Sequence, residues 1–554
     1  MRKVRALLEQ AIRAAVTRLA EAARVPAPAE IPWTVPPQAA LGDFSTPLAL
    51  SFAPALGQRS REVAEAILGT LTLDPNLIAR AEVAGAGYLN FFVAPAYWRQ
   101  VVRIAREQGP AFGRSSMGGG RPVQVEFVSA NPTGPLHVAH GRGAAVGDAV
   151  ARLLEATGWR VEREYYINDA GTQMALLGTS IWVRYQELHG RTMPFPPDGY
   201  QGAYVRDLAE ALVTEEGKRL LALPEAEAVL TCAAFGRDEV LEWIQRDLAA
   251  FGVTFDRWVS ERGLLDRGEV KATLDFLRTR GHLYEQEGAL WFRSSAFGDD
   301  KDRVLVKSSG ELTYAASDIA YHRDKLRRGY SRLIDVWGAD HHGYVSRMKA
   351  AVAALGYDPG CLTVLLVQIV RLLRGGQEVR MSKRTGDFIS LQEVLEEVGP
   401  DACRYIFLTR RSDSHLDFDL EVAKAQSMEN PVYYVQYAHA RCASILREAE
   451  KAGVPLPRPE APVDRLGLPE ELTLLKHCTL FPEVVEAAAA ALEPHRLPAY
   501  LQALATEFHG YYTRHRVLSD DRELSVARLS LVATLKQVLT NALTLLGVSA
   551  PDRM

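Results

Sequence analysis

Cysteine is scarce in this sequence: five among 554 residues, at Cys232, Cys361, Cys403, Cys442 and Cys478, with no C-x-x-C pair. That excludes a disulfide framework or a cysteine-built zinc site and reads as buried thiols in a reducing compartment. Net charge is nearly absent as well, since 64 basic and 68 acidic residues leave −4. There is no global polycation, so any nucleic-acid face is a local patch on a near-neutral body. No apolar run reaches the length of a membrane span. The opening MRKVRALLEQAIRAAVTRLAEAARV is charged and helical rather than a signal sequence. The expectation is a cytoplasmic chain with no membrane partner. Internal repeats are also missing, and the only biased stretch, Ala487 to Ala491, reads as helix.

What is present is an ordinary globular composition, long enough for several cores. Residues 1–112 read as an α/β module, opening with a helix whose apolar positions are Val4, Leu7, Leu8, Ile12, Val16 and Leu19. The Gly-rich run from Gly113 to Gly120 closes it. Residues 121–428 read as a nucleotide-binding α/β domain with a helical insertion over about 172–285, its second half resuming at Ala289. There LTVLLVQIVRLL reads as one strand and Ser412 to Asp419 as a polar connector. Residues 429–554 read as an all-helical bundle.

The stretch from Val123 to Asp148, VQVEFVSANPTGPLHVAHGRGAAVGD, is a buried strand, a Pro/Gly turn and a helix opening near His137. In α/β folds that junction receives phosphates, because a helix N-terminus offers unpaired N–H groups and partial positive charge. His137 and His140, three apart, share one helix face. Taken alone, H-x-x-H is more often a capping or solvated pair. A metal site is not expected, because no third ligand follows at a recognisable spacing.

Far downstream stands Arg380-Met381-Ser382-Lys383-Arg384. HVAH and RMSKR together resemble the HIGH and KMSKS signatures of class I aminoacyl-tRNA synthetases. The surrounding wording is more specific. EFVSANPTGPLHVAHGRGA, YYINDAGTQ, WGADHHGYVSRMKAA, MSKRTGDFISL and LGVSAPDRM together resemble arginyl-tRNA synthetases, in order and over essentially the whole chain. Two departures stand out: Ala139 where the HIGH motif has Gly, and Arg380 and Arg384 for the outer Lys and Ser of KMSKS. Both are taken as variants of a working site.

The resemblance implies a Rossmann-like catalytic domain between an N-terminal module that touches the tRNA elbow and a helical anticodon-binding bundle. It implies an arginine–tRNA ligase that makes arginyl-adenylate and pyrophosphate from arginine and ATP, then charges the terminal ribose of tRNA(Arg). ATP is expected with Mg2+ as a substrate complex, and no structural metal is expected in the protein. Charge builds on phosphate oxygens in that reaction, so positioned cations and N–H donors suffice. By resemblance His137, His140 and Lys383 are catalytic. Ala139, Gly338, Asp340, Met381 and Ser382 join them around ATP. Arginine's guanidinium requires carboxylates, and Glu126 and Asp318 match the family's positions, with Tyr314 on the same helical face. Asn131, with Ser129 nearby, matches the residue holding the substrate's α-amino and carboxylate end. His341 is the expected contact from the Gly338 loop, with His342 as the alternative. Tyr88 and Asn90 match elbow contacts, and Tyr437, Arg441 and Met554 match anticodon contacts, suited to unstacked bases. No second catalytic constellation suggests an editing domain, and a monomer is expected.

Overall fold

The computed structural model describes residues 2–34, 36, 38–379 and 389–554. The first block begins with α1 (Arg2–Ala23), whose Val4, Leu8, Ile12 and Val16 are buried at helical spacing. It continues through β1 (Phe44–Thr46), α2 (Leu48–Leu56), α3 (Ser60–Thr70), β2 (Ile78–Ala84), β3 (Tyr88–Val93) and α4 (Pro95–Gln108). The three strands make an antiparallel sheet, β1-β3-β2, with Ser45 opposite Asn90.

The central domain runs β4 (Pro122–Glu126), α5 (Val138–Ala156), β5 (Arg160–Ile167), α6 (Thr172–Leu188), α7 (Ala203–Glu216), α8 (Glu225–Ala250) and β6 (Arg257–Ser260). Next come α9 (Glu261–Asp266), α10 (Glu269–Thr279), β7 (Leu283–Gln286), β8 (Ala289–Phe292), β9 (Arg303–Val306) and α11 (Tyr314–Arg327). Then follow β10 (Arg332–Gly338), α12 (Val345–Ala354), β11 (Leu362–Val367), β12 (Val370–Arg374) and β13 (Gln377–Glu378). Five strands form a parallel sheet in the order β11-β10-β4-β5-β6. Its order reverses beside the central strand β4, where open α/β sheets receive ligands.

Four sequence readings need correction here. The expected insertion over 172–285 contains β6, a strand of the main sheet, so the helical insert proper ends with α8. Four residues are too few for periodicity to reveal a strand. The strands after Ala289 do not resume the main sheet; they form a separate antiparallel sheet, β7-β8-β9, and the second half begins at β10. LTVLLVQIVRLL divides at Gln368-Ile369 into β11 and β12, which belong to different sheets. The connector from Ser412 to Asp419 ends in β14 (Leu416–Asp419), parallel to β12, with Leu416 and Phe418 inward.

The remainder is helical: α13 (Leu391–Val398) and α14 (Pro400–Phe407) before β14, then α15 (Leu420–Lys424), α16 (Pro431–Lys451), α17 (Pro469–Ala491), α18 (Arg496–Arg514) and α19 (Arg522–Leu546). Proline at the first position starts α4, α14, α16 and α17, where its missing N–H costs nothing. The bundle also holds the first block: Arg99 of α4 donates to Leu466 O at 2.8 Å, and Asn541 Nδ2 to Phe112 O at 2.9 Å.

Helix α5 lies tight on the sheet because Gly147 meets the Phe127 side chain, where a Cβ would overlap the ring. Gly143, on the same helix, has open space around its missing Cβ. Gly147→Ala is therefore expected to destabilise by about 1–3 kcal/mol from overpacking. Gly143→Ala gains about 0.5–1 kcal/mol of helix stability. Thermal melts of the two variants should move in opposite directions.

Candidate active site

The chain leaves β4 through a strained turn. Val128 and Ser129 have φ of 69° and 41°, unusual for side chains other than glycine and most costly for a β-branched one. Hydrogen bonds hold it: Ser129 Oγ donates to Glu126 Oε1 at 2.8 Å and accepts from Tyr166 N at 3.1 Å, and Tyr165 Oη donates to Ala130 O at 2.9 Å. The turn delivers Asn131 to a chain of amides. Its Oδ1 accepts from Asn168 Nδ2 at 2.9 Å, and its Nδ2 donates to Gln173 at 2.5 Å. Asn168 comes from the polar loop after β5 and Gln173 from the first turn of α6, so the turn and that segment converge.

Past Pro135 the chain enters α5. His137 and His140 stack, with ring centroids 3.7 Å apart and planes 21° from parallel, at the N-terminal end of this helix. Ala139 sits between them, partly buried. Met381, Ser382 and Lys383, with Arg380 and Arg384, lie outside the described residues. Both flanks of that segment are located. Upstream, Asp419 accepts from Gly375 N and Gly376 N at 3.2 and 2.7 Å. Downstream, Ser390 bridges to His137, and Leu391 N donates to Leu136 O at 2.7 Å. The first motif and the downstream flank of the second, more than two hundred residues apart in sequence, thus meet at the start of α5. Buried Arg142 of α5 adds to this by donating to Gln368 O, Ser414 O and Arg411 O at 2.7–2.8 Å. Its grip on Gln368 lies where β11 and β12 part.

Beside the turn lies a buried cluster of charge that the sequence reading did not find. Lys325 of α11, with no exposed surface, sits between Glu126 and Asp335, pairing with Asp335 at 2.8 Å and with Glu126. His322 faces Asp335 Oδ2 at 2.9 Å and Asp318 O at 2.8 Å. Two buried carboxylates share one ammonium, and they part accordingly. Against burial, Lys325 and His322 hold Asp335 down at about 2. Burial pushes Glu126 up, with Lys325 only partly opposing. Glu126 therefore has Ser129 and Lys325 as internal partners, beside its expected place in the arginine site.

Asp318 is half-buried, and Tyr344 Oη donates to it at 2.5 Å. Tyr314, one turn earlier, is 62% exposed on the rim, so the expected pair divides between interior and edge. Two further groups complete the pocket. Tyr166, stacked on Tyr321 at 4.1 Å, is influenced by the charges of Glu261, Asp318, Glu126 and Asp169. Glu261 opens α9. Among the described residues, Tyr166 Oη and Glu261 Oε2 are buried without a hydrogen-bond partner. Burial pushes Asp318 up; it pushes Glu261 up too, with Asp318 and Asp169 adding repulsion. Gly338 ends β10, and the loop after it carries Asp340 and His341, both exposed and 3.5 Å apart. Exposed His342 follows.

A model of the catalytic domain of class I tRNA synthetases of the arginine type matches residues 114–427. Models of the arginyl-tRNA synthetase N-terminal domain and the DALR anticodon-binding domain match residues 4–93 and 435–554. An arginine–tRNA ligase of Syntrophotalea carbinolica is 56% identical over 526 residues, covering 95% of each chain. That of Geobacillus kaustophilus is 47% identical, covering 100% of this chain and 99% of its own. The solved arginyl-tRNA synthetase of Thermus thermophilus superposes with a TM-score of 0.75 at 25% identity, covering 99% of this chain and all of its own. The chain belongs to the arginyl-tRNA synthetases. Members are class I ligases that use ATP to join arginine to tRNA, so this synthetase binds arginine, ATP and tRNA.

The other expected synthetase residues lie far from the sheet edge. Tyr88 is exposed at the start of β3. Asn90 is buried, its Oδ1 accepting from Ser45 Oγ at 2.6 Å. Tyr88 thus offers its ring to solvent, while Asn90 lies deeper with its amide oxygen engaged. Arg441 lies over the Tyr437 ring at 4.6 Å and donates to its hydroxyl at 3.1 Å, and Met554 is 51% exposed. Tyr166, Glu261, Tyr344 and Lys325 escaped the sequence reading. Asp318, His322 and Lys325 form a polar i, i+4, i+7 stripe, the same pattern as a solvated helix face.

Removing the ammonium tests the cluster. Lys325→Met leaves Glu126 and Asp335 buried without a cation, an expected loss of about 3–5 kcal/mol at neutral pH. In the variant both folded carboxyls titrate above their unfolded values, so the destabilisation shrinks as pH falls and protonates them. The gap in melting temperature between wild type and variant should narrow from pH ~7.5 to ~5. A constant gap would mean that the cluster is not ionised.

Proposed function

We propose that arginine enters with its guanidinium between Asp318 and Glu261, the Tyr166 hydroxyl accepting a further N–H. The observation that carries this is a pair of raised carboxylates, Glu261 buried and Asp318 half-buried, beside a partnerless phenol and carboxylate oxygen, at the ligand-receiving edge of a parallel sheet. Buried polar groups are normally paired, and a planar fork of five N–H donors supplies what these oxygens need. Glu126 acts behind them, fixing Ser129 and Lys325. Asn131, steered by Asn168 and Gln173, holds the amino acid's α-amino and carboxylate end. Tyr314 and His341 close the rim, with His342 the second imidazole available there.

The substrate carboxylate attacks the α-phosphorus of ATP, and the bond to the pyrophosphate oxygen breaks. His137 and His140 stabilise charge on the triphosphate, aided by the α5 N-terminus, while Mg2+ accompanies the ATP. Ala139, Gly338 and Asp340 line the nucleotide; Met381, Ser382 and Lys383 also bind it, with Lys383 acting on the leaving pyrophosphate. The ribose hydroxyl of tRNA(Arg) then attacks the adenylate's carbonyl, and AMP leaves. Tyr88 meets the tRNA elbow with Asn90 as its support, and Tyr437, Arg441 and Met554 meet the anticodon. The enzyme works as a cytoplasmic monomer.

Arginine-dependent ATP–pyrophosphate exchange in the presence of tRNA(Arg) tests the pocket. Asp318→Asn should raise KM for arginine by about 100-fold with KM for ATP little changed, and Tyr166→Phe by about 10-fold. Equal loss for both substrates would place Asp318 outside the pocket. Both carboxyls are raised in the free enzyme, and only their ionised forms hold a guanidinium. Lowering the pH should therefore raise KM for arginine while the medium is still above the ordinary carboxylate range. A KM flat down to about pH 5 would contradict the assignment.

A further inference from the structure

Helix α14 is eight residues long and touches both ends of the enzyme. In its first turn Asp401 accepts from Ser549 N at 3.0 Å, from Gln436 Nε2 at 2.8 Å and from the Ser549 hydroxyl. Gln436 directly precedes Tyr437 on α16, and Ser549 lies in the tail that leads to Met554. That tail is itself pinned, with His439 Nδ1 2.9 Å from Pro551 O and Lys536 paired with Asp552 at 2.8 Å.

One turn further along α14, Arg404 is 1% exposed. Its Nε donates to Leu546 O, the last carbonyl of α19, at 3.0 Å, and its Nη1 to Phe251 O at 3.1 Å. Its Nη2 pairs with Asp148. Asp148 belongs to α5, the helix that opens with His137 and His140, and is held also by Arg152 at 2.7 Å and Arg163 at 3.4 Å. At Gly547, with φ of 68°, the backbone passes so near that a Cβ would overlap the guanidinium. The C-terminal end of α19 is thus shaped around this one side chain.

Burying a guanidinium is costly, and an apolar residue of similar volume often stabilises a core equally well. What the charge adds is a fixed geometry linking three elements. We propose that Arg404 is a positioning residue that, with Asp401, couples the anticodon-facing end of the bundle to the adenylation histidines. Asp401 and Arg404 are three apart and share a helix face. A displacement of Gln436 or Ser549 as tRNA docks reaches Asp401, turns or shifts α14 as a unit, and passes through Arg404 to Asp148 and α5. This rests on the assignment of Tyr437 and Met554 to the anticodon.

The test is a double-mutant cycle between the enzyme and its tRNA. Steady-state charging is measured for wild type, Asp401→Ala and Arg404→Met, each with a native tRNA(Arg) transcript and with one carrying a substituted anticodon base. In wild type the substituted transcript should raise KM and lower kcat. In both variants kcat on the native transcript should fall by about 5- to 10-fold, and the anticodon substitution should lower it no further while still raising KM. Asp401 is at the bundle surface, so Asp401→Ala carries the test if Arg404→Met does not fold. The coupling is overturned if the anticodon substitution lowers kcat by the same factor in wild type and variants, or leaves the wild-type kcat unchanged. An anticodon substitution that leaves KM unchanged in every protein would instead overturn the anticodon assignment, and the coupling with it.

Discussion

One buried ammonium organises the catalytic half of this enzyme. Lys325 joins Glu126, at the end of the central strand, to Asp335 on the neighbouring strand, and so fixes α11 across both. The same helix carries Asp318, and Glu126 holds Ser129 in its left-handed turn. Position of the pocket carboxylate and shape of the turn that presents Asn131 therefore depend on one side chain. An ion pair of this kind adds little net stability compared with an apolar core. Its contribution is placement, because two carboxylates fixed on neighbouring strands leave the helix one way to sit.

The placement matters because the pocket has to stay negative without collapsing. Asp318 and Asp169 lie close enough to Glu261 to raise its carboxyl, as burial already does. Were Glu126 and Asp335 also unneutralised, the site would favour protonation over binding a cation. Lys325 removes that excess from behind, leaving two carboxyls poised toward the substrate. A site built on buried charge also discriminates strongly, since a side chain without a guanidinium leaves those oxygens unpaired. That selectivity fits a chain in which no second hydrolytic constellation is recognisable.

Much of this was legible in the sequence, for identifiable reasons. The strand–turn–helix around Pro132 to His137 could be read because proline, glycine and an apolar strand punctuate it. The C-terminal helices could be read because their apolar periodicity is long. Short strands could not: β6 and β14 have four residues each, and their membership in sheets is set by partners distant in sequence. Lys325 was invisible because burial of a lysine follows from two carboxylates arriving on other strands. Glu126 could be singled out by residue type and motif position, but the cation that shares it could not, because Lys325 lies 199 residues away in sequence. The depth of Asn90 was hidden too, because strand alternation gives the face but not the depth, and Ser45 across the sheet donates to its amide oxygen.

The chain's long-range connections also follow an economy of charge. With nearly balanced totals, its arginines are used less as a basic surface than as fasteners for backbone carbonyls. Arg142 of the histidine helix holds three carbonyls, one before and two after the second signature motif in sequence, and Arg404 holds two between the helical insert and the bundle. A carbonyl at a strand break or helix end has no ladder partner, and a guanidinium can satisfy several at once in fixed directions. Lysine could not replace either residue, because its ammonium is a point charge that cannot span three acceptors in a plane. The segments joined this way are the ones whose relative position adenylation depends on: the β11–β12 break before the lysine loop, the histidine helix, and the end of the anticodon bundle. Geometry between domains is thus set by a few directional contacts rather than by apolar area alone, and it can change through the same contacts.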